Sequence, residues 1–374
     1  MDVREAMKKQ TDVAMILFGH VLSSAPKDSN IIFSPASINS AITMLAADLG
    51  GDSAGKILSF FRSSSIDELK AIFRELSSVV SADSSTSGGP KIKAVNGLWI
   101  DKSLPTDPKL KDLFENFFKA VYAPVDFRSK AEEVRSEVNS WVDYHTNNLI
   151  KDLLPHGSVK SETDKIYANA LYFKGAWKRQ FEKYDTRDND FHLVNGTSVS
   201  VPFMTSSEKQ YVRAYDGFKV LRLPYRRGSD DTNRKLSMYF YLPDKKDGLD
   251  DLLEKMTSTP GFLDSHIPRY RDELEEFRIP KFKIEFGLCV TSVLNRLGLS
   301  SMSMYHKACV EIDEEGAEAA AATAVLLGCA LNMEPPKKID FVADHPFLFL
   351  IREDKTGTVL FVGQLFEPSE SCSN

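Results

Sequence analysis

Four residues carry the side chains of a nucleophilic site. Ser34 and Ser37 offer hydroxyls, His306 an imidazole that can accept a hydroxyl proton, and Asn169 an amide that can orient the ring. Acyl transfer needs hydroxyl and ring in contact and a third group, commonly a carboxylate, behind the ring. No acidic residue is marked for that place, and buried histidines are generally satisfied by hydroxyl and amide partners. The four are therefore expected to form a structural polar cluster. A second candidate, Asp48 to Lys56, holds Gly50 and Gly55-Lys56 at phosphate-loop spacing. It fails because Ile57 stands where Ser or Thr would bind magnesium, and because the preceding segment has a helical pattern where a strand is required; it reads as a helix-capping turn. There is no GxSxG or HExxH, and the seven histidines lack metal spacing. Neither an enzyme nor a cofactor or metal is expected.

The elements that would position these residues can be read from periodicity. Helical patterns cover 2 to 23, Ser37 to Ala47, Ile66 to Val80, Pro108 to Val121 and Ala131 to Asn148. The polar stretch from Ser81 to Pro90 reads as a surface loop. Lys91 to Ile100 and Ile166 to Phe173 read as strands, and Leu236 to Leu242 alternates like a half-buried one. Phe282, Ile284 and Phe286 alternate again, as do Ala308, Val310 and Ile312. Phe347 to Arg352 and Thr358 to Phe366 form a hairpin through Glu353 to Gly357. Helices early and strands late, without βαβ alternation, indicate an α+β protein.

Between the last strands lies Glu314, Glu315, Gly316, Ala317, Glu318, Ala319, Ala320, Ala321, Ala322, Thr323. Extended, this run places Ala317, Ala319, Ala321 and Thr323 on one face, with nothing large or charged among them. Such a face can slide between packed strands without the roughly 1–3 kcal/mol that overpacking costs. Alanine also favours helix, and Gly328 could end one. From these residues alone a short helix, a mobile linker and an inserting strand stay open.

Blocks along nearly the whole chain resemble the serpin family: Asn30 to Ser37, Val138 to Val142 with Thr146-Asn147, Asn169 to Trp177, Val201 to Met204, Leu223 to Tyr225, Ile279 to Phe282, the run from Glu314, and Phe361 to Gln364. Met1 to Glu5, Ser258 to Pro268 and Phe341 to Phe349 look like the plant members. The resemblance implies a single serpin domain over 1–366, with helices around a large central mixed sheet, two smaller sheets, and an exposed reactive-centre loop at about 314–340. A flexible tail would follow over 367–374. It implies an irreversible suicide-substrate inhibitor of endopeptidases, whose loop is cleaved and inserted while the target stays covalently attached. Glu314 to Thr323 match the hinge, with Ala317 where Thr or Ser is more usual. Ser34, Ser37, Asn169 and His306 match the polar cluster that parts for the incoming strand, and Trp177 an aromatic near its point of insertion. Family spacing from Gly316 places the reactive bond at Ala330-Leu331, and cleavage after Leu327, Gly328 or Cys329 stays open. None of Val325 to Met333 is Lys or Arg, so trypsin-like targets are disfavoured. Elastase-like serine proteases and papain-like cysteine proteases are expected instead. Cys329 would be either an inert thiol or one whose oxidation gates inhibition.

One departure stands out. Between Leu297-Gly298-Leu299 and His306 only Ser300 to Tyr305 remain where serpins have a further short helix and the start of the strand that leads into the loop. The central sheet is expected to be shortened there, which favours the alternative of a non-inhibitory serpin-fold binding or regulatory protein.

The totals fit a large soluble core: 374 residues, 42% hydrophobic, net charge −6. Neither nucleic acid nor membrane is an expected partner, and a monomer is. Four cysteines without CxxC spacing suggest a reducing compartment. Val13 to Phe18 belongs to an amphipathic first helix rather than a signal peptide. The expectation is a cytoplasmic or nuclear protein, or an extracellular one by unconventional export.

Overall fold

The second helix shows how local chemistry starts an element. The Ser34 hydroxyl accepts the Ser37 amide at 3.0 Å, the N-cap arrangement, and Pro35 takes the first helical position, where its missing N–H is not needed. The helix then runs Pro35–Leu49 with every residue from Pro35 to Ala46 buried. A computed structural model describes residues 3–49, 51–229, 234–291, 295, 303–314 and 338–369.

The helices are α1 Val3–Leu22, α2 Pro35–Leu49, α3 Gly51–Phe60, α4 Ile66–Glu75, α5 Pro108–Asp112, α6 Phe127–His145, α7 Leu249–Ser258 and α8 Phe262–Ser265. Two widen into π-helical turns, α4 at Leu76–Val80 and α5 at Leu113–Phe117. No described helix is long and apolar enough to cross a membrane. The phosphate-loop candidate falls at the α2–α3 junction, with no strand before it. Its Asp48 is held by Lys165 at 2.6 Å and by the Tyr167 hydroxyl.

The strands β1 Ile31–Phe33, β2 Lys91–Asp101, β3 Val121–Val125, β4 Lys165–Lys174, β5 Arg187–His192, β6 Ser198–Met204, β7 Gln210–Tyr215 and β8 Phe218–Pro224 precede β9 Leu236–Pro243. After it come β10 Arg271–Asp272, β11 Leu274–Pro280, β12 Phe282–Cys289, β13 Ser303–Ile312, β14 Ile339–Val342, β15 Phe347–Glu353 and β16 Val359–Leu365. They form three sheets. The central one is mixed, has five strands in the order β12-β13-β4-β2-β3 and contains the longest strands. A seven-stranded sheet runs β1-β16-β15-β9-β8-β7-β10, and a four-stranded one β14-β11-β6-β5.

Alternation assigns each face of the mixed sheet. Ala168, Ala170 and Tyr172 of β4, with Tyr305 and Cys309 of β13, pack under Val134, Val138 and Val142 of α6. On the other face, Leu171, Phe173, Ala308 and Val310 meet Leu221, Met238, Phe240 and Phe361 of the seven-stranded sheet. Lower on that face, Leu98, Tyr167 and Met304 meet the helical core that includes Ile38, Ala41 and Leu45 of α2. Asn169 and His306 lie between these two apolar clusters.

Three sequence expectations need correction. The helix expected to reach Val121 stops at Phe117. Apolar Leu113, Phe114, Phe117 and Phe118 continue its period, but Lys119 adopts φ 52° and Val121 pairs with Gly97 of β2. The left-handed residue breaks the helix and the sheet edge takes the rest. The strand at Leu236 to Leu242 is not half-buried: all eight residues of β9 are buried, because Met238, Phe240 and Leu242 enter the inter-sheet core while Tyr239 and Tyr241 enter the helical one. Its tyrosines read as an outer face from sequence, but the Tyr239 hydroxyl is satisfied by Asp354 at 2.7 Å. The mixed sheet is also not shortened at Ser300 to Tyr305. β13 begins at Ser303 and pairs without interruption from Ser303↔Ile166 to Val310↔Phe173, nearly the whole of β4.

Candidate functional site

β13 and β4 are direct neighbours and run parallel. Their register sets His306 beside Asn169, and the antiparallel register of β4 with β2 sets Asn169 beside Asn96, so three polar side chains cross three strands in one row. The N-terminus of α2 is laid over that row.

Ser34 fixes the direction of every bond in the cluster. Its backbone N–H donates to His306 Nε2 at 3.1 Å, so Nε2 must carry the lone pair and Nδ1 the proton. His306 Nδ1–H then donates to Asn169 Oδ1 at 2.7 Å, and the Ser37 hydroxyl donates to the same oxygen. The Asn169 amide in turn donates to Asn96 Oδ1 at 2.6 Å. His306 is 1% exposed, and burial pushes its pKa down to about 3, so the ring is neutral. Among the described residues no carboxylate touches the ring, and neither hydroxyl bonds it: Ser34 reaches it through its amide and Ser37 through Asn169. The arrangement cannot activate a nucleophile. It ties β13, β4 and α2 together.

A second cluster sits where β13 ends. Trp177 Nε1 donates to the Asp313 carbonyl at 2.8 Å, and its ring stacks on Tyr225 at 4.6 Å with 11° between planes. Lys174 at the end of β4 reaches Glu311 and Asp313, each at 3.3 Å. Glu314 is 4% exposed; its carboxylate meets Lys281 at 2.7 Å and accepts from the Thr186 hydroxyl at 2.8 Å, while its carbonyl accepts the Phe181 amide at 3.2 Å. Burial opposes its charge, but the Lys281 ammonium and the hydroxyl outweigh it, and its pKa lies below the ordinary glutamate value. The root of the small-residue run is thus pinned at the open end of the β4–β13 pair.

Ser34, Ser37, Asn169 and His306 therefore meet, Trp177 lies apart at the strand ends, and Glu314 stands beside it. The expected hinge residues Glu315, Gly316, Ala317, Glu318, Ala319, Ala320, Ala321, Ala322 and Thr323, the expected bond Ala330-Leu331 and Cys329 lie outside the described residues. Sequence reasoning missed Asn96, Tyr225, Lys281 and Thr186. Asn96 left a signal, a polar residue amid the apolar pattern of a long strand; Tyr225 and Lys281 fall within the blocks that resemble the family but carried no sign of their partners, and Thr186 left none, because these contacts depend on register between distant strands.

A parallel strand pair cross-linked by polar side chains, with a pinned glutamate just past the end of one strand, is the arrangement that the family resemblance implies. The family model described as Serpin (serine protease inhibitor) matches residues 8–368, and the chain belongs to the serpin family. It is 84% identical to Serpin-Z1 of Arabidopsis thaliana over 100% of this chain and 98% of that one. It is 62% identical to a protein of the same plant named Probable non-inhibitory serpin-Z5, over 99% of this chain and 86% of that one. Among solved structures, Arabidopsis AtSerpin1 in its native stressed conformation superposes with a TM-score of 0.91 at 48% identity, covering 98% of this chain and 99% of that one.

Proposed function

We propose that the protein is a suicide-substrate inhibitor of endopeptidases, serine and papain-like cysteine enzymes among them. The observation that carries this reading is the adjacency of β4 and β13 as parallel neighbours, with the alanine-rich run leaving β13 directly. A segment that folds back from Glu314 would enter between them antiparallel to both. One parallel ladder, the slightly weaker kind, would be exchanged for two antiparallel ones. Each ladder hydrogen bond gained contributes about 0.5–1.5 kcal/mol net. Serpin loop insertion is the established example of such strand addition. The His306–Asn169 bond, which joins the two strands side by side, would have to break, so the polar row is a latch that holds the uninserted state.

In the proposed reaction the protease nucleophile attacks the carbonyl carbon of Ala330, the Ala330–Leu331 bond breaks, and the Leu331 amine leaves with a proton. Insertion then carries the acyl-enzyme away before water reaches it. The small side chains at the bond favour elastase-like pockets, or papain-like enzymes that read Leu326 or Leu327, and the absence of Lys and Arg from Val325 to Met333 disfavours trypsin.

The second reading, a serpin without inhibition, is favoured by the resemblance to the relative named as probably non-inhibitory. The pairing of β13 with β4 from Ser303 to Val310 weakens the argument from a shortened sheet. The two readings separate on mixing the protein with elastase-like and papain-like proteases. A complex that survives boiling in detergent, and a higher melting temperature after loop cleavage, support inhibition. Cleavage with neither supports the second reading.

A further inference from the structure

Beside Trp177 lies a small cavity of about 80 Å³, walled by Lys178 and Arg179 from the segment after β4, by Gln210 and Tyr211 of β7 and by Arg271 of β10. The Lys178 amide donates to the Pro224 carbonyl at 2.8 Å, which fixes that segment against the end of β8, and Arg271 pairs with Tyr211 across the β7–β10 ladder. Stretches far apart in sequence thus bring three cations to one lining, and no acid is among the described residues that line it.

Two arginines lie over the Tyr211 ring, and they differ. The Arg222 guanidinium is 5.0 Å from the ring centre; its Nη2 meets Asp354 at 2.9 Å and its Nε donates to the Ser237 hydroxyl at 3.2 Å, so its charge is answered within the protein. The Arg271 guanidinium is 5.6 Å from the same centre, and its Nε is buried without a hydrogen-bond partner among the described residues. The carboxylate it faces, Glu208, lies 3.9 Å away and is already paired with Arg179. Burial and the neighbouring Arg179 both press against its charge and hold its pKa below the ordinary arginine value. A half-buried cation crowded by a second one is relieved by an anion placed between them.

We propose that this cavity binds a tetrahedral oxyanion, free phosphate or the head of a small phosphomonoester, between Arg179 and Arg271. Charge selects the class: Lys178, Arg179 and Arg271 are cationic, Glu208 offsets one of them, and what remains matches a phosphate group, which carries about −2 above its second pKa. Guanidinium forks also suit phosphate oxygens, which they hold in pairs. Volume selects the size. The cavity is well below the roughly 300 Å³ at which sites for drug-sized ligands begin, and well above the roughly 30 Å³ that one water occupies. The bound anion would staple the segment after Trp177 to β10, a two-residue strand at the end of its sheet. Bound to the folded state alone, it stabilises that state by mass action.

The test uses the intact, uncleaved protein at pH 7.5, with inorganic phosphate as the probe and sodium chloride making up constant ionic strength. Calorimetric titration should show saturable one-to-one binding, weakened at least tenfold in Arg271→Gln and in Arg179→Gln; the second, at an exposed position, serves if the first unfolds. Arg213→Gln removes the same charge from an exposed position of β7 outside the cavity, and should leave the affinity within twofold of wild type. Phosphate should also raise the melting temperature of the wild type and of Arg213→Gln, and leave that of Arg179→Gln unmoved. Glycerol 3-phosphate separates the sources: affinity equal to phosphate or tighter assigns the phosphomonoester, and affinity at least tenfold weaker assigns the free anion. No saturable binding of phosphate, or a loss in Arg213→Gln as large as in Arg179→Gln, overturns the site, because the effect would then follow net charge and not this cavity.

Discussion

Protonating His306 should unlatch the molecule, and the cost can be worked from its surroundings. The unfolded chain carries this imidazole at its ordinary pKa of 6.5, whereas burial holds it at about 3 in the folded protein. Between those values the unfolded state binds a proton that the native state refuses, so stability falls as pH is lowered through that window and is unaffected by this group above it. At pH 5.5 the loss is about 1.4 kcal/mol, and at pH 4.5 about 2.7 kcal/mol, from 1.36 kcal/mol per pKa unit. The ring has no room to compensate. Its two nitrogens meet an amide N–H and an amide oxygen, and a second ring proton at Nε2 would point at the Ser34 N–H. His306→Gln keeps polar atoms in the site but removes the titration. Urea unfolding of the uncleaved wild type and variant at pH 7.5, 6.5, 5.5 and 4.5 isolates the group, since other titrations cancel in the difference. The variant is expected to be less stable at pH 7.5 and to close most of that gap by about 2.7 kcal/mol at pH 4.5. A stability difference that stays constant across the series would refute the assignment of a neutral, buried latch.

Further outcomes follow from single contacts. Trp177→Phe keeps the stack on Tyr225 but removes the indole hydrogen bond to the Asp313 carbonyl, and should lower unfolding stability by about 1 kcal/mol in urea. Glu314→Gln should cost about 1–3 kcal/mol by leaving Lys281 without its charge partner, and should speed hydrogen exchange at the Phe181 amide, which the Glu314 carbonyl accepts. Gly363→Ala would put a Cβ 2.4 Å from the Ile31 carbonyl oxygen and 2.6 Å from the Phe349 ring; with the β1 backbone in the way, a loss of roughly 3 kcal/mol or more is expected in thermal unfolding. Ala319→Arg, which would bring a charge onto the small-residue face, should leave loop cleavage intact while abolishing the detergent-stable complex on gels.

What could be read in the sequence, and what could not, divides along a physical line. The helix expected over Ser37 to Ala47, the long strands at β2 and β4 and the terminal hairpin are encoded within a few residues each, in periodicity and turn residues, so they were legible without a partner. The helix that ended early at Phe117 and the doubly buried β9 were not, because both outcomes depend on which surface a distant segment offers: Lys119 yields to the pairing of Val121 with β2, and the β9 tyrosines become core only when Asp354 arrives to satisfy Tyr239. The polar row shows the same limit more sharply. That Ser34, Ser37, Asn169 and His306 belong together followed from family resemblance, but their roles follow from registers linking residues up to 272 positions apart. The registers reveal why the row is polar at all. An apolar layer at that junction would weld β4 to β13 through close packing that resists separation and re-formation. Hydrogen bonds to a neutral imidazole and two carboxamides hold the same strands with directional contacts, each of modest net worth, whose partners can turn to other donors or acceptors when a strand comes between them. A latch made this way is firm at neutral pH and separable as a unit, which is what the proposed single opening of the sheet would require.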